Sequence, residues 1–344
     1  MTLSPVVVGA LIQAAVVVIL CVGFTFTYMV EKFPNFGHTA IATVGTVVSY
    51  TLVRLYGFDP YEAIPFSILA CGLLGVFLYF VMVHPIKAAG GREVTLTFAF
   101  FALSYVIASL VNIHSYWFLF NRGYSSRGFG LTNFDFTWGG YAGIFIVSLP
   151  LTVLLVLALY VFLTKVKQGI ALRAMAEDEA LAASLGVNTR AIHVLSWLIT
   201  GGLAGLAGGI IPLWRYTGLD ANDEFLVLVM AGSVVGGLQS VAGAVVGGLS
   251  VALSQKVLLS LAIAVFGISS AAYESLYPIG FIIVVLMLEP EGIMGIFGKP
   301  HSPIRTMRIR IKELKDLPRR TKEEFEAIVA DLKHELAAHK PQGR

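Results

Sequence analysis

Residues 5–30 read PVVVGALIQAAVVVILCVGFTFTYMV, and none of them is charged. An apolar stretch of about 20 residues is long enough to cross the hydrocarbon core of a bilayer. This one is too long for the core of a cleavable signal, and no basic segment precedes it. It predicts a retained membrane-spanning helix.

The rest of the chain agrees. Of 344 residues, 57% are hydrophobic and only 13% charged, with a mean hydropathy of +0.81. Soluble domains carry roughly 25% charged residues. A soluble fold of this composition would expose far too much apolar surface. Further apolar runs occupy 39–57, 63–83, 94–113, 140–164, 191–214, 225–253, 256–271 and 275–289. Backbone in lipid must satisfy its own hydrogen bonds, so these runs read as helices. The expected fold class is all-α, a polytopic integral membrane bundle of roughly eight to ten transmembrane helices, some of them broken or re-entrant. Cys21 and Cys71 lie inside apolar runs with no CxxC neighbour and read as core residues.

Charge divides the chain in two. From Lys299 onward there are twelve Lys/Arg against seven Asp/Glu; the preceding residues hold twelve against fourteen. We therefore expect a transmembrane domain over 1–298 and a cytoplasmic tail over 299–344. In the tail, Phe325, Ile328, Val329, Leu332 and Leu336 recur at helical spacing. The basic 304–320 segment suits anionic lipid headgroups. Short loops rich in Lys and Arg stay in the cytoplasm. Lys87 and Arg92, then Lys165, Lys167, Arg173 and Arg190, fix two such loops. With the tail, they predict a multi-pass protein of the cell membrane with an outside N-terminus and a cytoplasmic C-terminus. The loop from His114 to Gly139 then faces outward, where Arg122 and Arg127 run against the rule but are outnumbered.

Three segments invite a closer reading. The first is the polar break EKFPNFGH at 31–38. Pro34 has no N–H and keeps Phe33 from a helical conformation, and Asn35 or Thr39 suits a cap on the next helix. The break is either an ordinary turn or a discontinuity facing a translocation path. On the second view Asn35, His38, Thr39 and Thr43 line that path. His38 has no second His or carboxylate at ligand spacing, so no metal site is expected. The second segment is glycine-rich: GGLAGLAGG at 201–209 and GSVVGGLQSVAGAVVGG at 232–248. Gly205/Gly209, Gly232/Gly236 and Gly243/Gly247 form GxxxG pairs, which permit close helix packing. The alternative is broken helices beside the path, with Ser233 and Gln239 contributing polar groups.

The third is KVKQGIALRAMAEDEALAASLGVNTR at 165–190. Glu177, Asp178 and Glu179 supply an acidic first turn, strong helix formers follow, and Gly186 stops the helix. Asn188 or Thr189 caps the next one. This predicts a short helix over 177–186 outside the membrane, with Ala182, Leu185 and Val187 as a small apolar face. Such a helix suits insertion into a partner's groove.

Here the sequence resembles a known family, the ABC-importer permeases for branched-chain amino acids. Arg173-Ala174, Glu179, Ala182-Ala183, Leu185-Gly186 and the Leu203–Gly208 repeat occupy places of that family's cytoplasmic-loop signature. YMVEKFPNFGHTAIATVG, VVGGLQSVAGAVVGGL and EPEGIMGIFG are similar to three further elements. The resemblance runs through roughly residues 6 to 298; the tail departs from it. It implies one of two permease subunits, paired with a second permease, two cytoplasmic ATPases and an external solute-binding protein. It also implies that the helix with Arg173, Glu177, Asp178, Glu179, Ala182, Ala183, Leu185 and Gly186 at or near it docks on an ATPase.

No GxxxxGK[ST] occurs in the chain, so no ATP site, cofactor or enzymatic activity of its own is expected. Nothing points to nucleic acid. Branched-chain amino acids are the leading substrate class, with urea and short amides as alternatives within the family. A stand-alone secondary transporter or channel is the competing mechanism. It would be expected to carry ionisable groups deep in the spans, whereas Arg54, Glu62, Lys256 and Glu274 all fall near predicted ends.

Overall fold

The computed structural model describes residues 3–123, 128–218, 221–267, 269, 273–274 and 276–288. The closing element at 289–298, the tail over 299–344 and Arg127 lie outside the described residues.

Helix α1 spans Pro5–Glu31 and α2 His38–Tyr56. α3, Pro60–Leu78, runs through a π-helical turn at Tyr79–Val83 into α4, His84–Ala88. Pro85 explains that turn: it cannot donate to the carbonyl four residues back, and its ring crowds that turn. α5 covers Glu93–Arg122 and α6 Gly143–Lys165. Between them lie strands β1 (Gly128–Phe129), β2 (Thr137–Trp138) and β3 (Tyr141–Ala142). α7, Lys167–Glu177, and α8, Glu179–Ser184, lead into α9, Thr189–Trp214. Strand β4 (Thr217–Gly218) pairs antiparallel with β1. α10 (Ala221–Gly236), α11 (Val241–Phe266) and α12 (Leu276–Leu288) follow. β2 and β3 form a hairpin whose Gly139 and Gly140 both have positive φ, 61° and 82°, as a type I′ turn requires.

The fold is an all-α polytopic helical bundle. Among the described residues six helical stretches are long and apolar enough to cross a membrane: 5–31, 60–88, 93–122, 143–165, 189–214 and 241–266. Helix α2, rich in Thr and Ser, is not among them.

Two helices form the centre. α1 is buried without interruption from Ile12 to Thr27, and α9 from Thr200 to Leu213. The outer helices bury one stripe each. In α5 the stripe is Leu96, Phe100, Ser104, Ile107, Val111, Ser115 and Phe118, a helical 3–4 spacing. Its other faces expose Phe98, Tyr105, Leu110, Ile113 and Phe120. Bulky apolar residues thus cover the outer faces as well as the inner stripe, which suits a lipid surround rather than water.

The glycine runs pack helices closely. A Cβ on Gly205 would meet the main chain of Ser67, and one on Gly208 the Ala42 carbonyl. α9 therefore lies almost backbone-to-backbone on α3 and α2. Thr46 Oγ1 donates to the Gly208 carbonyl at 2.8 Å, and Ser67 Oγ to the Gly45 carbonyl at 2.5 Å. Across α10 and α11, a Cβ on Gly247 would meet the main chain of Gly232 and Gly236, and one on Gly236 that of Gly243.

Several expected boundaries move. The run 225–253 is not one span, because a turn at 237–240 divides it. Gly237 has φ 98° there, and Ser240 caps α11 by accepting from the Gly243 N–H at 3.1 Å. α11 continues to Phe266, so the expected break between 253 and 256 is absent. Lys256 is consequently interior to α11, paired with Glu274 at 2.7 Å. α5 extends to Arg122, beyond the expected end at residue 113. Its added turns carry Tyr116, Trp117 and Phe120, all exposed, as aromatic residues at a membrane interface are.

Replacing Gly208 with Val forces α9 off α2. We expect destabilisation by about 1–3 kcal/mol or more, the usual cost of overpacking, read as a lower thermal midpoint of the detergent-purified protein. Gly280→Ala, where an added Cβ meets nothing, leaves that midpoint in place.

Candidate functional site

The break after α1 is a re-entrant connection. Lys32 closes α1 in the left-handed region, φ 62°, with its N–H on the Tyr28 carbonyl at 2.9 Å. The chain then turns back along α1. His38, the first residue of α2, has its ring against Gly23, eight residues and about 12 Å before the end of α1. Non-helical backbone at such depth is tolerated only where protein encloses it, and Phe33, Asn35, His38 and Thr39 are all buried. Phe33 packs on Phe100 at 5.3 Å, and Phe100 on Trp197 at 5.3 Å.

Neither expected cap opens α2. Gly37 occupies the cap position without a side-chain bond. Asn35 Oδ1 instead accepts from the Gly37 N–H at 3.1 Å, closing a local turn. Asn35 Nδ2 finds no hydrogen-bond partner among the described residues. Thr43 continues up α2, donating to the Thr39 carbonyl at 3.2 Å.

The structure does not gather all six pathway candidates. Ser233 on α10 donates to the Cys21 carbonyl at 3.3 Å. Gly232, beside Ser233, faces the Cys21 thiol, whereas the His38 ring faces Gly23. Side-chain positions 21 and 23 lie about 200° apart around α1, so α10 and His38 meet different sides of it. Gln239 is exposed on the α10–α11 turn. It borders a cavity of about 470 Å³ with Met29, Lys32, Arg173 and Glu177, at the end of the bundle that carries α8.

That end holds the expected extramembrane helix in altered form. It is two helices with a kink at Asp178, whose extended backbone (φ −151°, ψ 106°) ends α7. The Asp178 side chain then caps α8, accepting from the Leu181 N–H at 2.9 Å. Glu177 therefore ends α7 rather than opening the short helix. Gly186 has φ 86°, as a terminating glycine requires, and Asn188 caps α9 by accepting from Ala191 N–H at 3.1 Å. The expected apolar face is split. Ala182 is 2% exposed and packs with Phe26, Val30, Leu163, Leu172, Met175 and Ile192, with Val187 at the edge. Leu185 points away, 76% exposed, beside Leu181 at 58%. Positions three apart in a helix share a face, but Leu185 is the C-cap, past the last helical residue Ser184, and so leaves the face of Ala182. Leu181, the residue before Ala182, points about 100° away from it.

A charged cluster joins this helix to α1. Glu31, fully buried at the end of α1, receives the His193 Nδ1 and Trp197 Nε1 on Oε1, each at 2.8 Å. Lys87 of α4 donates to its Oε2 at 2.5 Å. His193 Nε2 meets Oε1 of Glu179, the first residue of α8, at 3.0 Å. A ring that donates to both carboxylates carries two protons and a positive charge. Glu31, Lys87, His193 and Glu179 then sum to zero. Tyr79, turned inward at the π-helical turn, stacks on the imidazole at 5.6 Å and 16°. Lys32 also binds here, its ammonium donating to the Ala176 carbonyl at the end of α7, where the helix dipole is negative. The sequence reading passed over Glu31, His193 and Trp197. The one signal available was position: Glu31 is the first charge after an uncharged span.

At the opposite end an open cleft of about 560 Å³ lies between the start of α1, the loop before α6 and the end of α9. It is lined in part by Asp135, Phe136, Tyr141 and Trp214. Asp135 holds the loop down, accepting from Tyr61 Oη at 2.6 Å and the Ile144 N–H at 2.9 Å.

Comparison with known proteins adds three relatives. A family model described as branched-chain amino acid transport system / permease component matches residues 6–286. A protein of Methanocaldococcus jannaschii named probable branched-chain amino acid transport permease protein LivH is 31% identical over 85% of this chain and 92% of its own length. The Pseudomonas aeruginosa high-affinity branched-chain amino acid transport system permease protein BraD is 23% identical over 84% of this chain and 94% of its own. The corresponding Escherichia coli protein, LivH, is 26% identical over 80% and 90%. The matched region stops short of the closing element at 289–298.

The split face of α8 predicts a labelling pattern. Single-cysteine variants L181C and L185C react with a membrane-impermeant maleimide an order of magnitude faster than A182C. Asp178→Ala, which removes the cap, costs about 1 kcal/mol and raises hydrogen exchange across 179–184.

Proposed function

The chain belongs to the ABC-transporter permeases of the branched-chain amino acid (Liv-type) family, and on that premise we propose that it is one permease subunit of an ATP-driven importer for branched-chain amino acids. As a transport permease it is a multi-pass membrane protein and not an enzyme. In this reading it pairs with a second permease, two cytoplasmic ATPases and an external solute-binding protein. The observation that carries the reading is α8: a capped helix, seated through Ala182 on the end of α1, with Leu181 and Leu185 left outward. An outward i, i+4 apolar pair suits a groove on a partner.

Orientation is part of the proposal. Lys32, Lys87, Arg92, Lys165, Lys167, Arg173 and Arg190 lie at the α8 end, against Arg54, Arg122 and Arg215 at the other among the described residues. By the positive-inside rule α8 faces the cytoplasm, the N-terminus the exterior, and the tail over 299–344 the cytoplasm. The cleft by Tyr141 and Trp214 then faces the solute-binding protein. Asn35, His38, Thr39 and Thr43 are the proposed polar lining of the path, reached when the re-entrant segment shifts; Ser233 and Gln239 are set apart from it.

Reconstitution with ATPases and binding protein tests this. Labelled leucine accumulates only with ATP and all subunits present. Leu185→Glu strips the ATPases from the purified complex, and accumulation stops. Asn35→Ala with His38→Ala keeps the ATPases but lowers uptake severalfold; unchanged uptake would remove these two residues from the path.

A further inference from the structure

Apolar contact at Ala182 holds α8 against the bundle but gives no direction, since a methyl group slides over its neighbours at little cost. The His193 bridge does give direction. One imidazole bonds Glu179 of α8 on one nitrogen and Glu31 of α1 on the other, at 3.0 and 2.8 Å. Hydrogen bonds weaken steeply once stretched by a few tenths of an ångström or tilted. A displacement of α8 must therefore carry the imidazole along or break the string.

Breaking it at Glu31 is the costly branch, whereas the outer link, to half-exposed Glu179, is the weaker of the two. The Glu31 carboxylate is fully buried, and a buried charge that loses a partner is strongly disfavoured. The ring is also held in plane by Tyr79. One residue beyond Glu31 the chain enters the re-entrant break, where Phe33 and Asn35 are wholly enclosed. Motion passed to Glu31 is thus delivered at the joint between α1 and α2.

We propose that Glu31 is a positioning residue for transport: the string Glu179–His193–Glu31 passes displacement of α8 to the end of α1 and shifts the 32–37 break. Glu31 does not touch the solute; it sets how much of the motor's movement reaches the path. This rests on the reading of α8 as the ATPase-docking helix. Lys87 and Trp197 hold Glu31 in place but lie outside the string, so they matter less.

The experiment uses the complete transporter in proteoliposomes, with leucine uptake and ATP hydrolysis measured together. For Glu31→Gln and His193→Gln, the uptake per ATP hydrolysed falls by an order of magnitude while ATP hydrolysis continues. Glu31→Asp, which restores the charge, recovers most of it, and Trp197→Phe changes it less than either. Because both members act in one string, Glu179→Ala combined with His193→Gln is no worse than the more severe single variant. Wild-type coupling in Glu31→Gln and His193→Gln overturns the proposal, as does full additivity in the pair. If Glu31→Gln does not fold, the Glu179 and His193 variants decide alone, since the ratio is normalised to ATP actually hydrolysed. Retention of the ATPases by Leu185→Glu would instead overturn the docking reading, a separate result from a loss of coupling.

Discussion

A bilayer core offers no water to peptide groups, so any backbone that leaves the helical form at depth must be enclosed by protein. Residues 32–37 impose that condition on the whole bundle. α1 cannot sit at the periphery, because its broken end needs walls on every side. α5 supplies Phe100, α9 supplies Trp197, and α1 itself supplies Gly23, where only a missing side chain leaves room for His38. The glycine-lined approach of α9 to α2 and α3 follows from the same need. Close backbone contact seals the enclosure without spending volume on side chains.

The inner end of α1 is also where charge is concentrated, and the two facts are connected. Enclosing the break buries Glu31, and a buried carboxylate must be paired. The donors it recruits come from two other helices: Lys87 from α4, His193 and Trp197 from successive turns of α9. The cluster fixes the relative placement of three elements that apolar packing alone would leave free to slide. The π-helical turn belongs to this arrangement, since it brings Tyr79 onto the imidazole.

Much of the architecture was legible in the sequence because it follows from composition. Uncharged runs gave the helices, and Gly186 and Asn188 marked true helix ends. The four-element resemblance named the family that the 6–286 match shows. What failed did so where hydropathy is silent. Apolarity runs unbroken through 225–253, but the turn there is set by Gly237 and Ser240, whose backbone roles leave no hydropathy signature. Lys256 looked like a span end because a charge interrupts the run; its partner Glu274 lets it sit inside α11 instead. The outward position of Leu185 comes from its place at the C-cap of α8, past the last helical residue, where helical spacing no longer sets the face. Glu31 was visible, yet its three partners are 56 to 166 residues away, and no spacing rule reaches that far.

The enclosed break carries a further consequence for motion. The turn itself is closed by local bonds, among them Gly37 N–H to Asn35 Oδ1, whereas Glu31, four residues before Asn35, has a donor on each oxygen. The joint is therefore tied firmly at its helical end and lightly at its turn, the arrangement that the proposed coupling through Glu31 requires.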